Sequence, residues 1–326
     1  MVMSSYFHGY NCFSSVLGES LKILKKEEYL KFISLRWTFD YCRAMEDDNL
    51  WFIGACVEPY DYLLQYDLNK FCGIEIKEVI PEIDKINIEL RNELSENGFQ
   101  LTMVDFYYIK SIDWNRMERF GFYPRHLPHF IVVTELTENG IRYIDPQYRF
   151  MGQMRMDEFT LARDSKVCNI EVNNRYFRFI NINKNENKDD YVKYQLERYL
   201  KNKHINKISM FASDVMEIYI KEQDRNNIEW LFNTYLSLES IVDMRVDFSR
   251  NILNLNEFQK VELKKVIEIW IKIRKLFLNM YKKPNLRSVE SIQEAKAMLL
   301  DVEKTENRFI EDYLKNYVED NIYAKK

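Results

Sequence analysis

Cys12, His129 and Asp145 are residues whose types can act together in nucleophilic catalysis. Cys12 lies at the start of a helical pattern, in the stretch YNCFSSVLGESL. The N-terminus of a helix favours an anion, because its backbone N–H groups are unpaired and its dipole is positive there. A thiolate at this position would be a nucleophile. A single cysteine is more often a small buried apolar side chain, so the assignment depends on a base and an acid elsewhere.

The base must come from four histidines, which are His8, His126, His129 and His204. His129 begins the apolar run HFIVV, and Asp145 ends the next predicted strand, RYIDP. A carboxylate beside an imidazole fixes its tautomer and stabilises the imidazolium. His126 lies in the loop YPRHLP and is the weaker candidate. The alternative is structural, because a histidine at a strand start is usually a surface residue and Asp before Pro is common in turns.

The turn between these two strands raises a question of register. A tight turn at the Asn-Gly pair of TENG would place Asp145 opposite Thr134 instead of His129. We therefore expect a longer loop or a β-bulge if Asp145 is to meet His129.

The first half of the chain mixes helical and strand patterns. Helices are predicted at residues 12–26, in PYDYLLQYDLNKFCG and in PEIDKINIELRNELSENG, the last two with Pro near the start and Gly at the end. Strands are predicted in FISLRWTFDY, LWFIGACV, IEIKEVI, FQLTMVDFYYI, HFIVVTEL and GIRYIDP, and as a pair within residues 167–182.

The pattern changes at the polar segment NKNENKDD, residues 183–190. After this segment the chain has no Gly and a single Pro, Pro284, and residues 190–321 show helical spacing that predicts four or five helices. We predict two domains: residues 1–185 as an α+β domain with an antiparallel sheet and an N-terminal helix bearing Cys12, and residues 186–326 as an all-α domain that covers the cleft or docks a partner.

Composition excludes several classes of function. The net charge of −4 gives no support to nucleic-acid binding. No secretory signal and no apolar run long enough for a membrane is apparent. Five cysteines without CxxC spacing favour a reduced, cytoplasmic protein without a zinc site. We expect no metal and no cofactor, since Gly-rich phosphate loops and HExxH or EF-hand patterns are missing from the sequence.

One stretch of the helical part is basic. Residues 255–287 hold nine Lys or Arg against three Glu. This face is either a docking surface for an acidic carrier protein or a solvated helix surface.

Four segments resemble papain-like cysteine enzymes of bacteria, in the branch of the double-glycine bacteriocin-processing peptidases, and more narrowly the butirosin-biosynthesis protein H family. They are the Cys12 segment, LTMVDFYYI (101–109), HFIVVTELTENGIRYIDPQYRF (129–150) and MGQMRMDEFTLAR (151–163), which resembles a helix of the family. The resemblance covers about residues 1–180, and its most specific part runs from His129 to Asp145.

The resemblance implies a papain-like first domain in which Cys12 takes up an acyl group, His129 is the base and Asp145 orients it. Relatives of the butirosin type transfer an acyl group from a carrier-protein thioester to an amine. Many peptidase relatives carry an oxyanion-binding Gln six residues before the Cys, where this chain has Tyr6. The oxyanion would then be bound by the Cys12 N–H with Asn11 or His8, unless these two only cap the helix.

Further residues are candidates for lining the cleft. Asp105, Tyr107 and Tyr108 follow one strand pattern, although Asp105 is equally suited to bind backbone N–H groups at a strand end.

Three functions remain open. They are a cysteine acyltransferase acting on an acyl-thioester donor and an amine, a cysteine peptidase or amidase, and a non-catalytic module that binds a peptide or carrier protein. The last predicts that Cys12 is buried or far from His129. Oligomeric state is left open.

Overall fold

A computed structural model describes residues 6–42, 52–54, 61–119, 123–168, 171–182, 191–201 and 207–323. Contacts divide the chain into two compact units, Met1–Ile33 with Glu58–Asn187 and Ser34–Val57 with Lys188–Lys326. The division after residue 187 lies close to the predicted one after residue 185. The segment Ser34–Val57 differs from the prediction, because it groups with the helical unit.

The described elements follow one another along the chain as helices α1–α11 and strands β1–β8. In chain order they are α1 (Cys12–Ile23), α2 (Leu30–Ser34), β1 (Asp40–Cys42), β2 (Phe52–Gly54), α3 (Tyr62–Cys72), β3 (Ile74–Val79), α4 (Ile86–Asn97), β4 (Gln100–Asp105), α5 (Trp114–Glu118), β5 (Pro128–Thr137), β6 (Gly140–Asp145), β7 (Phe150–Arg155), α6 (Met156–Arg163), β8 (Tyr176–Ile182), α7 (Tyr191–Lys201), α8 (Lys207–Asp224), α9 (Glu229–Asn251), α10 (Glu257–Lys282) and α11 (Val289–Tyr323).

The first unit is built on a six-stranded sheet in the order β3-β8-β4-β5-β6-β7. Each described pairing in it is antiparallel. The prediction of an α+β fold with an antiparallel sheet and a helical C-terminal region is therefore confirmed.

Helix α1 is held against this sheet by an aromatic contact that fixes the position of Cys12. The ring of Phe13, fully buried, lies 5.0 Å from Phe130 on β5 and 5.2 Å from Phe177 on β8. Edge-on aromatic pairs of this kind stabilise the contact beyond simple burial, by about 0.5–1.5 kcal/mol each. Because Cys12 precedes Phe13, this anchor places the thiol at the sheet.

The predicted helix ends of α3 and α4 are confirmed. Gly73 and Gly98 follow the two helices with φ of 65° and 77°, the left-handed conformation that glycine adopts without strain. The predicted start of α3 at Pro59 lies outside the described residues, and the N-cap of this helix is Asp61.

Two segments of the first unit differ from the predicted elements. The segment 151–163 begins as a strand, β7, and becomes helical only at Met156. The strand forms because β6 offers a free edge, along which Gly140 to Asp145 pair with Arg155 to Phe150. In the predicted strand pair within 167–182, Asn173 and Asn174 do turn, with φ of 48° and 55°, but among the described residues of this range only those of β8 form a strand.

The helical unit contains five described α-helices, α7–α11, and the hairpin β1–β2. The predicted strand FISLRWTFDY is helical up to Ser34 and becomes a strand only at Asp40. Its residues Trp37, Phe39 and Tyr41 belong to the helical core, in which Trp37 stacks on Phe309 and Phe39 stacks on Trp270. This burial explains why Ser34–Val57 groups with the helices. No helix in the described residues is both long and apolar enough to cross a membrane.

Candidate active site

Cys12 is the first residue of α1, and the helix N-terminus is formed by its neighbours. The Asn11 side chain accepts a hydrogen bond from the Ser14 N–H at 2.8 Å, and the Ser14 hydroxyl accepts one from the Asn11 N–H at 3.0 Å. Asn11 therefore has the capping role that was the alternative to oxyanion binding. Cys12 itself is half-buried.

His129 and Asp145 form a buried pair next to this thiol. The His129 Nε2 lies 2.9 Å from Asp145 Oδ2, and the Asp145 side chain is fully buried. The Cys12 side chain lies near the same imidazole, since its charge and hydrogen-bonding capacity contribute to raising the pKa of His129. Since Nε2 is bonded to Asp145, Nδ1 is the ring nitrogen left for the sulfur.

The charge on His129 is set by these two neighbours. Burial of the ring disfavours its charged form, but the charge and hydrogen bond of Asp145, followed by the hydrogen bond and charge of Cys12, outweigh this effect. Together they raise the pKa of His129 to about 10. At neutral pH the ring is thus an imidazolium between a carboxylate and a sulfur, which is the charge state that stabilises a neighbouring thiolate.

A β-bulge brings Asp145 to the correct face. The pairing of β5 with β6 loses register between Val133 and Glu135, although Thr137 pairs with Gly140 across a tight turn. One extra residue in β5 turns Asp145 to the sheet face of His129, whereas an unbroken ladder would turn it to the opposite face. Of the two alternatives that the sequence left open, a longer loop or a β-bulge, the structure has the bulge.

Two aromatic rings that the sequence did not single out cover the imidazole. The Phe106 ring lies 4.9 Å from the His129 ring, and the Tyr148 ring lies 5.7 Å from it. Phe106 and Tyr148 also stack on each other, and Tyr148 is 42% exposed. The only sequence signal was their position, directly after Asp105 and three residues after Asp145.

A hydrogen-bonded chain joins the segment before α1 to the segment after β6. The Ser15 hydroxyl accepts from the Gly9 N–H at 2.9 Å and donates to Gln147 Oε1 at 2.8 Å. Ser15 is one helical turn beyond Cys12, and Gln147 is two residues beyond Asp145. This link therefore holds the thiol and the carboxylate in one place, and sequence patterns gave no indication of it.

The remaining candidate residues are not among the polar partners that the structure describes for His129, which are Asp145 and Cys12. Asp105 is fully buried and accepts a hydrogen bond from the Tyr107 N–H at 3.0 Å, the role of a strand-end acceptor, and it also binds His126. Tyr108 is half-buried, with its ring 6.1 Å from that of His126. His8 is exposed, and Tyr6 is half-buried.

The other described cysteines have different surroundings. Burial, followed by the charge and hydrogen bond of Asp105, raises the pKa of Cys168 to about 12, so this side chain stays a neutral thiol. Cys72 is buried and Cys42 is exposed, while Cys56 lies outside the described residues. Of the four described cysteines, Cys12 is the one that contributes to raising the pKa of the buried His129 imidazole.

Part of the basic stretch 255–287 is bonded within the helical unit. Arg274 contacts Glu239 at 2.8 Å, and Arg287 donates hydrogen bonds to the carbonyls of Met280 and Tyr281. Lys260 pairs with a neighbouring glutamate at 2.7 Å. These contacts favour the interpretation as a solvated helix face.

Comparisons with known proteins did not indicate a chemistry for this site. A scan against models of protein families gave no match, and a search of curated proteins gave no significant match. Within the part of the chain that the structure describes, no group of three His, Cys, Asp or Glu side chains is arranged to hold a metal ion. What the residues can do is nucleophilic acyl chemistry, because a thiol, an imidazolium and a carboxylate are in contact in that order.

Proposed function

We propose that the protein is a cysteine-dependent acyltransferase that moves an acyl group from a thioester to an amine. The observation that supports this most is the contact series from the Cys12 thiol through the His129 ring to Asp145, with Cys12 half-buried at a helix N-terminus. We also propose that the first unit is papain-like. The helix that bears Cys12 packs on an antiparallel sheet whose adjacent strands carry His129 and Asp145.

The first step forms an acyl-enzyme. The Cys12 thiolate attacks the carbonyl carbon of the thioester, and the bond from that carbon to the donor sulfur breaks. The leaving thiolate takes the proton from the His129 imidazolium and departs as a thiol, so that His129 becomes neutral. Exchange of one thioester for another conserves bond energy, which suits a donor that is already activated.

The developing oxyanion requires hydrogen-bond donors near Cys12. The first N–H groups of α1 have no acceptor within the helix, and they point toward the same end as the Cys12 side chain. The Ser14 N–H is used by Asn11, and the Cys12 N–H belongs to the nucleophilic residue itself, so we propose the Cys12 N–H as an oxyanion donor. Preorganised donors of this kind typically contribute about 100- to 1,000-fold to the rate.

The second step transfers the acyl group. The acceptor amine attacks the acyl carbon, the bond to the Cys12 sulfur breaks, and neutral His129 accepts a proton from the amine. The Phe106 and Tyr148 rings cover the imidazole, which limits the approach of water. Exclusion of water favours the amine as acceptor over hydrolysis.

The test is mass spectrometry of the intact protein after incubation with an acyl-pantetheine thioester. We expect one acyl adduct, lost in Cys12→Ala, retained in Cys42→Ala, and discharged by an added amine to give the amide. Cys42→Ala is the matched control because Cys42 is exposed. An adduct that is discharged only by water, together with cleavage of simple amides, would identify an amidase. No adduct at all would overturn the enzymatic proposal and leave a binding module.

A further inference from the structure

A second histidine–carboxylate pair lies in the first unit. The His126 Nδ1 is 2.7 Å from Asp105 Oδ2. The Asp105 side chain is fully buried, whereas that of His126 is 35% exposed. The pair therefore combines a fixed carboxylate with an imidazole that solvent or a ligand can reach.

The orientation of this imidazole is tightly constrained. Asp105 is held by the Ser165 hydroxyl at 2.6 Å and by the Tyr107 N–H at 3.0 Å. The His126 ring lies flat on the Tyr107 ring, with centroids 4.4 Å apart and an interplanar angle of 21°. With Nδ1 bonded to Asp105, Nε2 is the nitrogen left to accept a proton from outside.

The two imidazoles lie close together along the chain and against the same segment. The ring of Phe106 contacts His129, and the next residue, Tyr107, contacts His126. His126 is three residues before His129, so their Cα atoms are at most about 11 Å apart, given about 3.8 Å between consecutive Cα atoms. The two imidazoles therefore lie against adjacent residues of one short segment, which is the geometric basis for considering them together.

The proton balance of the proposed reaction calls for a second base. A primary amine arrives at neutral pH as an ammonium ion, and it must lose two protons to become an amide N–H. One of these protons returns to His129, which gave its own proton to the leaving thiol. The other must go to another acceptor before the nitrogen lone pair can attack. Hydrolysis does not require a second base, because an attacking water molecule has to lose a single proton, and His129 can accept it.

We propose that His126, oriented by Asp105, takes the first proton from an ammonium acceptor, and that the acceptor is therefore an alkylamine that is protonated in solution. The N–H bond breaks, its electron pair stays on nitrogen, and the proton moves to His126 Nε2 and then to solvent. This inference rests on the proposed function. General base catalysis of this kind contributes about 100- to 10,000-fold.

The test measures discharge of preformed acyl-Cys12 by two acceptors at pH 7. One acceptor is a simple alkylamine, which is protonated at this pH, and the other is hydroxylamine, which is not. In His126→Ala we expect the ratio of the alkylamine rate to the hydroxylamine rate to fall about 100-fold. The deficit should shrink as the pH approaches that at which the alkylamine loses its own proton. Added imidazole, which can occupy the space on Tyr107, should restore part of the alkylamine rate.

The control is Tyr123→Phe, a change at a 60% exposed residue of the same loop, which should leave the ratio unaltered. An equal loss with both acceptors would show that His126 only supports the structure, and it would overturn the inference. An unaltered ratio in His126→Ala would do the same while leaving the acyltransferase proposal intact. Failure of the wild-type acyl-enzyme to react with either amine would overturn both.

Discussion

Within the described residues, each unit of the molecule contains a fully or nearly fully buried ion pair, and the two pairs are built differently. In the helical unit, Arg245 Nε lies 2.8 Å from Glu306 Oε1, and both side chains are 0% exposed. In the first unit, His129 and Asp145 are bonded at 2.9 Å, with the His129 side chain 6% exposed. Similar burial therefore accompanies very different surroundings.

The Arg245–Glu306 pair is closed on all sides. Glu306 also accepts hydrogen bonds from the Trp270 indole at 2.7 Å and from the Tyr199 hydroxyl at 2.6 Å. Arg245 donates to the Thr38 carbonyl at 3.1 Å, and its guanidinium lies 3.9 Å from the centre of the Trp37 ring. A buried pair with this many partners leaves no group available for a ligand, so we assign it a purely structural role.

The His129–Asp145 pair is open. Asp145 Oδ1 is buried but has no hydrogen-bond partner among the described residues, and the half-buried Cys12 thiol lies near enough to His129 to raise its pKa. An unpaired buried acceptor costs about 1–3 kcal/mol, so its retention calls for an explanation other than stability. The comparison teaches that the number of satisfied partners, and not burial of charge, separates a structural pair from a candidate catalytic one.

The largest effect is expected from His129→Gln. Glutamine can still donate a hydrogen bond to Asp145, but it can neither carry a positive charge nor transfer a proton. We expect formation of the acyl-Cys12 adduct to slow by about 100- to 10,000-fold. The measurement is single-turnover acylation followed by mass spectrometry. Cys42→Ala is the control that should acylate normally, and a His129→Gln rate within threefold of wild type would refute the role of the imidazole.

The closed pair should instead determine stability. Glu306→Ala leaves Arg245 as an unpaired buried cation and removes the acceptor of Trp270 and Tyr199, so we expect a loss of about 3–5 kcal/mol in the free energy of unfolding. Urea denaturation followed by circular dichroism measures it. Glu257→Ala is the matched control, because Glu257 is 87% exposed where it pairs with Lys260, and it should unfold at nearly the wild-type midpoint. Equal midpoints for the two variants would contradict the comparison.

The two pairs should also differ in their response to pH. The pKa of His129 is raised from 6.5 to about 10 in the folded chain, so its stabilising effect is complete below pH 6.5 and is lost as the pH rises through 10. We expect the stability advantage of wild type over His129→Gln to shrink between pH 6.5 and 10. The difference between wild type and Glu306→Ala should stay constant over this range, because Arg245 remains charged. Parallel pH dependences for both variants would remove the distinction.

The sequence was sufficient for the elements that carry the open pair. Periodicity and turn residues predicted a helix starting at Cys12, the strands that begin near His129 and end at Asp145, and the need for either a longer loop or a bulge between them. Local patterns suffice here because each of these elements is defined by its own residues and its nearest neighbour along the chain.

The sequence was insufficient where the outcome depends on distant partners. The alternation of Trp37 and Phe39 indicates burial but does not tell which core receives them, and they joined the helical unit. Strand β7 formed because β6 had an edge to pair with, which the local pattern of 151–155 does not encode. Phe106 and Tyr148 were not singled out, since 43 residues of the chain are Phe or Tyr (21 and 22) and only the fold selects these two.

The smallest effect is expected from the Phe106 and Tyr148 rings, which cover the imidazole of the open pair, His129–Asp145. Tyr148→Leu removes the ring that stacks on Phe106 and lies over His129, an interaction in a class that contributes about 0.5–1.5 kcal/mol. We expect water to reach the acyl-enzyme more easily, so that the ratio of hydrolysis to amine transfer rises by about 2- to 10-fold, on the scale of about 1.4 kcal/mol per factor of ten. Product analysis of acyl-Cys12 discharge in the presence of an amine measures this ratio.

Tyr62→Leu, at a 50% exposed tyrosine on α3, is the matched control and should give the wild-type ratio. If Tyr148→Leu also gives the wild-type ratio, Tyr148 does not keep water from the site, and the preference for an amine must come from the acceptor itself.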